Sequence, residues 1–160
     1  MKYHIRRKDK EILDSSQIKF ILEKSQYITV AMSKDNEPYL VTLSHIYYPD
    51  KNCIYFHCAS EGKKLDYIKS NPKVWGQAML DLGYDTGKCN HNYASVMFSG
   101  VASFINDENE KWRILADMTY KLETDPELLF ETRSKKEVLG TFVGRIDINH
   151  LTGKKTKEFM

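Results

Sequence analysis

The chain has 160 residues, and 24 Lys and Arg nearly balance 22 Asp and Glu for a formal net charge of +2, which leaves no global electrostatic footprint for nucleic acid. Ten Tyr, seven Phe and two Trp supply a core that excludes general disorder, in a length suited to one domain. Three irregularly spaced cysteines fit a reducing cytosol better than a disulfide scaffold. The charged start has no secretory signal, and no apolar run reaches the ~20 residues of a membrane span. The expectation is a cytoplasmic single domain over 1–160, with a polar arm at 1–12 and a polar tail at 150–160.

Asp14 with Gln17 three residues on predicts a helix start of the capping-box type, stapled by Leu13 and Ile18, with Ile18, Ile21 and Leu22 as the buried stripe. Residues 27–33 alternate, with Ile28, Val30 and Met32 on one face, and read as a strand. After a turn ending at Pro38, residues 39–48 form a second strand, with Val41, Leu43, His45 and Tyr47 on one side and Leu40, Thr42, Ser44 and Ile46 on the other. Residues 54–58 are the third. They turn through Ser60 and Gly62 into a helix that opens with Lys63 and Lys64 and ends at Asn71-Pro72, with Ser60 as the N-cap.

Residues 74–80 predict a fourth strand and 82–92 a polar loop. Residues 93–104 alternate throughout, with Ala94, Val96, Phe98, Ala102 and Phe104 on one face and a bend at Gly100. Asn106-Asp107-Glu108 starts a long helix with Trp112, Leu115, Ala116, Thr119 and Leu122 at helical spacing; a short helix at 126–130 and a last strand at 138–148 follow. Five or six hairpin-linked strands with inserted helices predict an α+β, mainly β, small antiparallel barrel rather than a doubly wound parallel sheet.

Metal ligation has little support. Cys53 and His57 lie four residues apart on one strand, roughly 13 Å, and Cys89-Asn90-His91 has no matching pair. Cys58 and Cys89 lack the context of a nucleophile. The turn at Ser60, Gly62, Lys63 and Lys64 is the stronger signal, because helical N–H groups, a dipole end and two ammonium groups converge there as they do around a phosphate. The same pattern also arises from two solvated lysines in an ordinary turn. With a phosphate there, a ring system would lie along residues 41–45 and 55–57, and FMN is a cofactor of that shape.

In order and spacing, several segments resemble the flavin-binding split-barrel proteins related to pyridoxamine 5′-phosphate oxidase, and most closely their nitroimidazole-resistance branch. They are 6–12, 27–32, 37–43, Tyr55-Phe56-His57 with Gly62-Lys63-Lys64, Cys89 with 93–96 and Gly100, and 146–155. The resemblance implies a six-stranded split-barrel homodimer with FMN between the subunits. Ser60, Lys63 and Lys64 would hold its phosphate, and Thr42, Leu43 and Ser44 would border the isoalloxazine. His57 would lie nearby as the catalytic candidate, and Ser95 and Val96 would contribute from the long strand. It further implies an FMN-dependent oxidoreductase acting on a small acceptor such as a nitroaromatic; the alternative is a non-catalytic module binding flavin or haem for storage or sensing. Lys63 stands where the family often has Arg, residues 123–136 match no family segment, and the C-terminal Arg/His signature of vitamin B6 oxidases is missing.

Overall fold

The computed structural model describes residues 5–132 and 140–160. Within these residues, four α-helices and seven strands follow in chain order: β1 Glu11–Ile12, α1 Ser15–Lys24, β2 Tyr27–Lys34, β3 Glu37–Tyr48, β4 Cys53–Cys58, α2 Lys63–Ser70, β5 Lys73–Asp85, β6 Asn90–Phe104, α3 Glu108–Leu122, α4 Pro126–Thr132 and β7 Phe142–Lys155. All pairings are antiparallel, in the order β1-β7-β4-β3-β2-β5-β6, and β6 also pairs with β7. Six strands therefore close a barrel, and β1 is a short addition to its β7 wall. Closure is partial at the ends: β3 pairs with β4 only from His45 to Tyr48, and β2 with β5 only from Ile28 to Ala31.

Period-2 alternation assigns the two faces. Ile28, Val30 and Met32 of β2, Leu43, His45 and Tyr47 of β3, and Ala94, Val96, Phe98 and Ala102 of β6 all turn inward and are buried. Two inward aromatic rings sit on glycines directly across a ladder. Phe56 pairs with Gly144 and Phe98 with Gly76, and a Cβ on either glycine would stand 2.1 Å from the ring of its partner. The barrel is narrow there because a hydrogen atom faces each ring. A register shift at Ser99/Gly100 marks the bend expected in β6.

Several expectations are corrected. Asp14 does cap α1, accepting from the Ser16 amide, but Leu13 is 86% exposed, and Ile12 is the buried residue beside Ile18. The polar loop at 82–92 is instead a continuation of β5 and β6, broken by a bulge between Asp81 and Tyr84 and stitched where Asn90 and Asn92 donate to Asp85. Only Leu82 and Tyr84 are large apolar residues in this stretch, and Leu82 alone packs against the core, so no sustained alternation was visible. The tail at 150–160 is strand as far as Lys155, and part of the N-terminal arm is strand too: Glu11 pairs with Lys154 and Ile12 with Gly153.

The buried stripe of α3 is Ile114, Leu115 and Met118, packed on the outward Cys53, Tyr55 and Val143. Trp112 is only half-buried, against Phe130 of α4, and Leu122 is exposed. The last strand begins at Phe142, while Val138 lies outside the described residues.

Candidate functional site

The strand-to-helix turn after β4 differs from expectation in one respect that matters. Ser60 does not cap α2; the N-cap is Gly62, at φ +129° and ψ 169°, and no side chain accepts from the first turn. That backbone conformation is essentially confined to glycine. A Cβ built on Gly62 would meet nothing within 4 Å, so the glycine is there for its conformation, and open space lies in front of the helix end. The start of α2 thus keeps donors and the positive dipole end facing solvent, the arrangement that receives an anionic oxygen.

The two lysines are not equivalent. Lys63 donates to Glu37 Oε1 at 3.0 Å, and its ammonium lies 5.1 and 5.2 Å from the ring centroids of Tyr39 and Tyr67. This contact holds the Glu37 carboxyl below its usual range and raises Lys63. Lys64 is half-buried on the other side of the turn. Burial, with the Lys64 charge as a second cause, pushes His57 down, so its imidazole is neutral at pH 7. Burial raises the Cys58 thiol against an opposing pull from Lys64. Cys58 therefore stays protonated and is no nucleophile.

Thr42 and Ser44 point outward from β3, and His57 points outward from β4. Ser44 and His57 each stand one residue beyond the paired His45 and Phe56. Tyr27 is opposite Ser44 on β2, and Thr29 Oγ1 lies 3.3 Å from Thr42 Oγ1. The structure thus brings Thr42, Ser44 and His57 onto one outer strip, and the chain runs from the end of β4 through Ser60 to Lys63 and Lys64 at the start of α2. Leu43 differs: its side chain is buried in the barrel, leaving only its backbone for the strip. Ser95 and Val96 are not brought to this strip. β6 is three strands from β3, roughly 14 Å at the usual inter-strand spacing, and Val96 faces the interior. His45 is also interior, with Nε2 donating to the Leu22 carbonyl at 2.8 Å and Nδ1 without a partner among the described residues.

Among the described residues no group of three or more His, Cys, Asp and Glu is placed to hold a metal ion, and no helix is long and apolar enough to cross a membrane. What the site offers is an uncapped helix end with a neighbouring ammonium, and an outward strip of hydroxyls and an imidazole on β3 and β4. These features fit a phosphorylated heteroaromatic cofactor.

The family model described as pyridoxamine 5′-phosphate oxidase matches residues 14–155, which takes in every strand of the barrel. The chain belongs to the pyridoxamine 5′-phosphate oxidase family. No curated protein sequence matches it. Among solved structures, it is similar to a candidate 5-nitroimidazole antibiotic resistance protein from Bacteroides thetaiotaomicron, with 23% identity, TM-score 0.77 and coverage of 91% of this chain and 86% of that one. It is also similar to the flavocytochrome Anf3 from Azotobacter vinelandii, with 20% identity, TM-score 0.79 and coverage of 98% and 73%. A third is the haem storage protein HutZ from Vibrio cholerae, with 13% identity, TM-score 0.64 and coverage of 88% and 94%. These likenesses establish the split-barrel fold for this family member.

Sequence reasoning missed Glu37 and Tyr67, the partners of Lys63. Glu37 lies 26 positions upstream, and only the hairpin of β2 and β3 carries it to α2. It also missed the outer face of β2, β3, β5 and β6, where Tyr27, Leu40, Trp75, Met79, Met97 and Val101 are all exposed. The outward positions of those strands carried the signal, for they are too apolar for a face in contact with water.

Proposed function

We propose that this pyridoxamine 5′-phosphate oxidase family member is a cytoplasmic FMN-binding protein and a reductase of a small acceptor, with nitroaromatics as the compounds to test. The uncapped end of α2 at Gly62, beside Lys64, carries the reading, since it offers a phosphate both donors and charge with open space in front. Bound FMN would supply the hydride or electron chemistry. The chain's own part is to orient. Lys64 and the amides of the first turn hold the phosphate, and Thr42 and Ser44 present hydroxyls along the ring edge. His57, neutral and outward, offers a hydrogen bond without adding charge.

The working unit in this proposal is a homodimer. The exposed apolar residues of the outer face support it, as an apolar patch of that extent fits a partner better than water. It would also give Ser95 a role, at the flavin site of the other subunit. The free state of Cys53, Cys58 and Cys89 suits a reducing compartment.

A second reading, ligand storage or sensing without turnover, is favoured by the likeness to a haem storage protein. The visible spectrum of the purified protein, taken before and after FMN loading and dialysis, separates the two. Retained flavin bands that bleach anaerobically with reduced nicotinamide and recover with a nitroaromatic support the reductase. Retained bands without turnover, or a Soret band, favour the second reading. No retained chromophore refutes both.

A further inference from the structure

Thr42, Ser44, Ile46 and Tyr48 follow one another on the outward face of β3. The far end of that face is covered by α3, which packs on Ile46 and Tyr48 together with Cys53 and Tyr55 of β4. Asp117 of α3 accepts from the Tyr48 hydroxyl. One helical turn on, Lys121 Nζ donates to the His45 carbonyl at 3.0 Å and to the Ser25 carbonyl at 3.3 Å. The helix ends one residue later, at Leu122. It therefore runs back along β3 towards Ser44 and stops at the border of the flavin strip, with Lys121 in its last turn. Tyr27, the ladder partner of Ser44, lies two residues from Ser25 on the other side of the ammonium.

Two backbone carbonyls use two of the three N–H donors of an ammonium. They do not account for the charge. Lys121 is half-buried and has no carboxylate in ion-pair contact among the described residues. Burial pushes it below the usual lysine range, against the more distant pull of Glu23. A neutral amide would bridge the same two carbonyls without that desolvation cost. The charge has a use if an electron-rich group comes to the third donor. A flavin ring has one such edge, the pyrimidine edge, where negative charge gathers when the ring is reduced, and a cation there tunes the cofactor.

We propose that Lys121 is a cofactor-tuning residue, whose free N–H donates to the pyrimidine edge of a flavin lying along Thr42 and Ser44 and whose charge favours the reduced ring. The inference rests on the flavin reading of that strip and adds the end of α3 to it. The two ends of the cofactor then meet different cations. Lys64 serves a phosphate whose charge is the same in both redox states, and Lys121 serves a ring whose charge changes.

The test compares the full-length wild type with Lys121→Gln, Lys121→Met, Lys121→Arg and Lys64→Ala, each loaded with FMN. Fluorescence quenching gives the affinity for oxidised FMN, anaerobic titration against a reference dye gives the midpoint potential, and melting curves report the fold. Lys121→Gln should bind reduced FMN roughly tenfold less tightly relative to oxidised FMN, which is a midpoint about 30 mV lower. Lys121→Met, which loses the carbonyl bonds as well, should melt lower yet shift the potential by the same amount. Lys121→Arg should keep most of the wild-type potential. Lys64→Ala should weaken both redox forms alike and leave the potential unchanged. A midpoint unmoved by both neutral variants, or moved as far by Lys121→Arg, overturns the proposal and leaves the flavin site standing. Wild-type protein that retains no FMN overturns the flavin reading and this proposal with it.

Discussion

Replacing Lys64, Lys63 and Glu37 one at a time tests the phosphate site more sharply than removing both lysines together. Lys64 has no carboxylate partner among the described residues, so its full charge is available to a phosphate. A charge-assisted hydrogen bond of that kind contributes about 1.5–3 kcal/mol, so Lys64→Ala should weaken FMN by roughly ten- to hundred-fold. Lys63 begins from its contact with Glu37 at 3.0 Å and must give up part of that contact to serve a ligand. Lys63→Ala should therefore cost only a few-fold, on the order of what exposed pairs show. Glu37→Gln has the opposite sign. It frees Lys63 and removes a negative charge near the incoming phosphate, so FMN should bind a few-fold more tightly. Quenching of FMN fluorescence on titration at pH 7.5 reads all three, and the effects should shrink in high salt, most for the exposed Lys63 and less for the half-buried Lys64. Equal losses for Lys63→Ala and Lys64→Ala, or weaker binding by Glu37→Gln, would refute the asymmetry argued from the structure.

Gly76→Ala and Gly144→Ala each push a methyl into a buried Phe ring; a loss of about 1–3 kcal/mol, seen as a melting point lower by several degrees, is expected, and an unchanged melting curve would contradict the packing. His45 is held down to about 4, first by burial and then by the Lys121 charge. Its folded value lies below the usual 6.5, so its stabilising effect is complete above that pH and is lost as pH falls towards 4, by roughly 3 kcal/mol in all. Denaturant melts between pH 7 and 4 should show this slope, and His45→Gln, which keeps a donor for Leu22, should flatten it. Leu40→Glu with Met79→Glu should halve the mass seen by light scattering if the outer face joins two copies; an unchanged mass rules that face out.

The barrel was legible wherever one strand face met the core and the other met water. Residues 28, 30 and 32, or 41 through 47, declare their faces by alternation alone. The same periodicity put Thr42, Ser44 and His57 on outward positions. What stayed hidden was specified by distant partners. Ile12 and Gly153 look like parts of polar ends because each is buried chiefly by the other's neighbourhood. The hairpin beyond Asp81 has only Leu82 and Tyr84 as large apolar residues, too few to set up an alternation. Ser60 looked like the cap because its side chain is suited to capping, but the turn required the φ of Gly62. The two lysines looked alike until the fold carried Glu37 to one of them.

The strand that closes the barrel, β7, is the last regular element of the sequence, and β4, β6 and β1 all wait for it. During synthesis, then, residues 53–58 and 90–104 leave the ribosome with one ladder side unfilled, and they stay so until 142–155 emerge. Contacts at such separation fold slowly. A nascent chain stalled in this window presents two half-satisfied strand edges, the kind of surface that chaperones bind and that aggregates grow from.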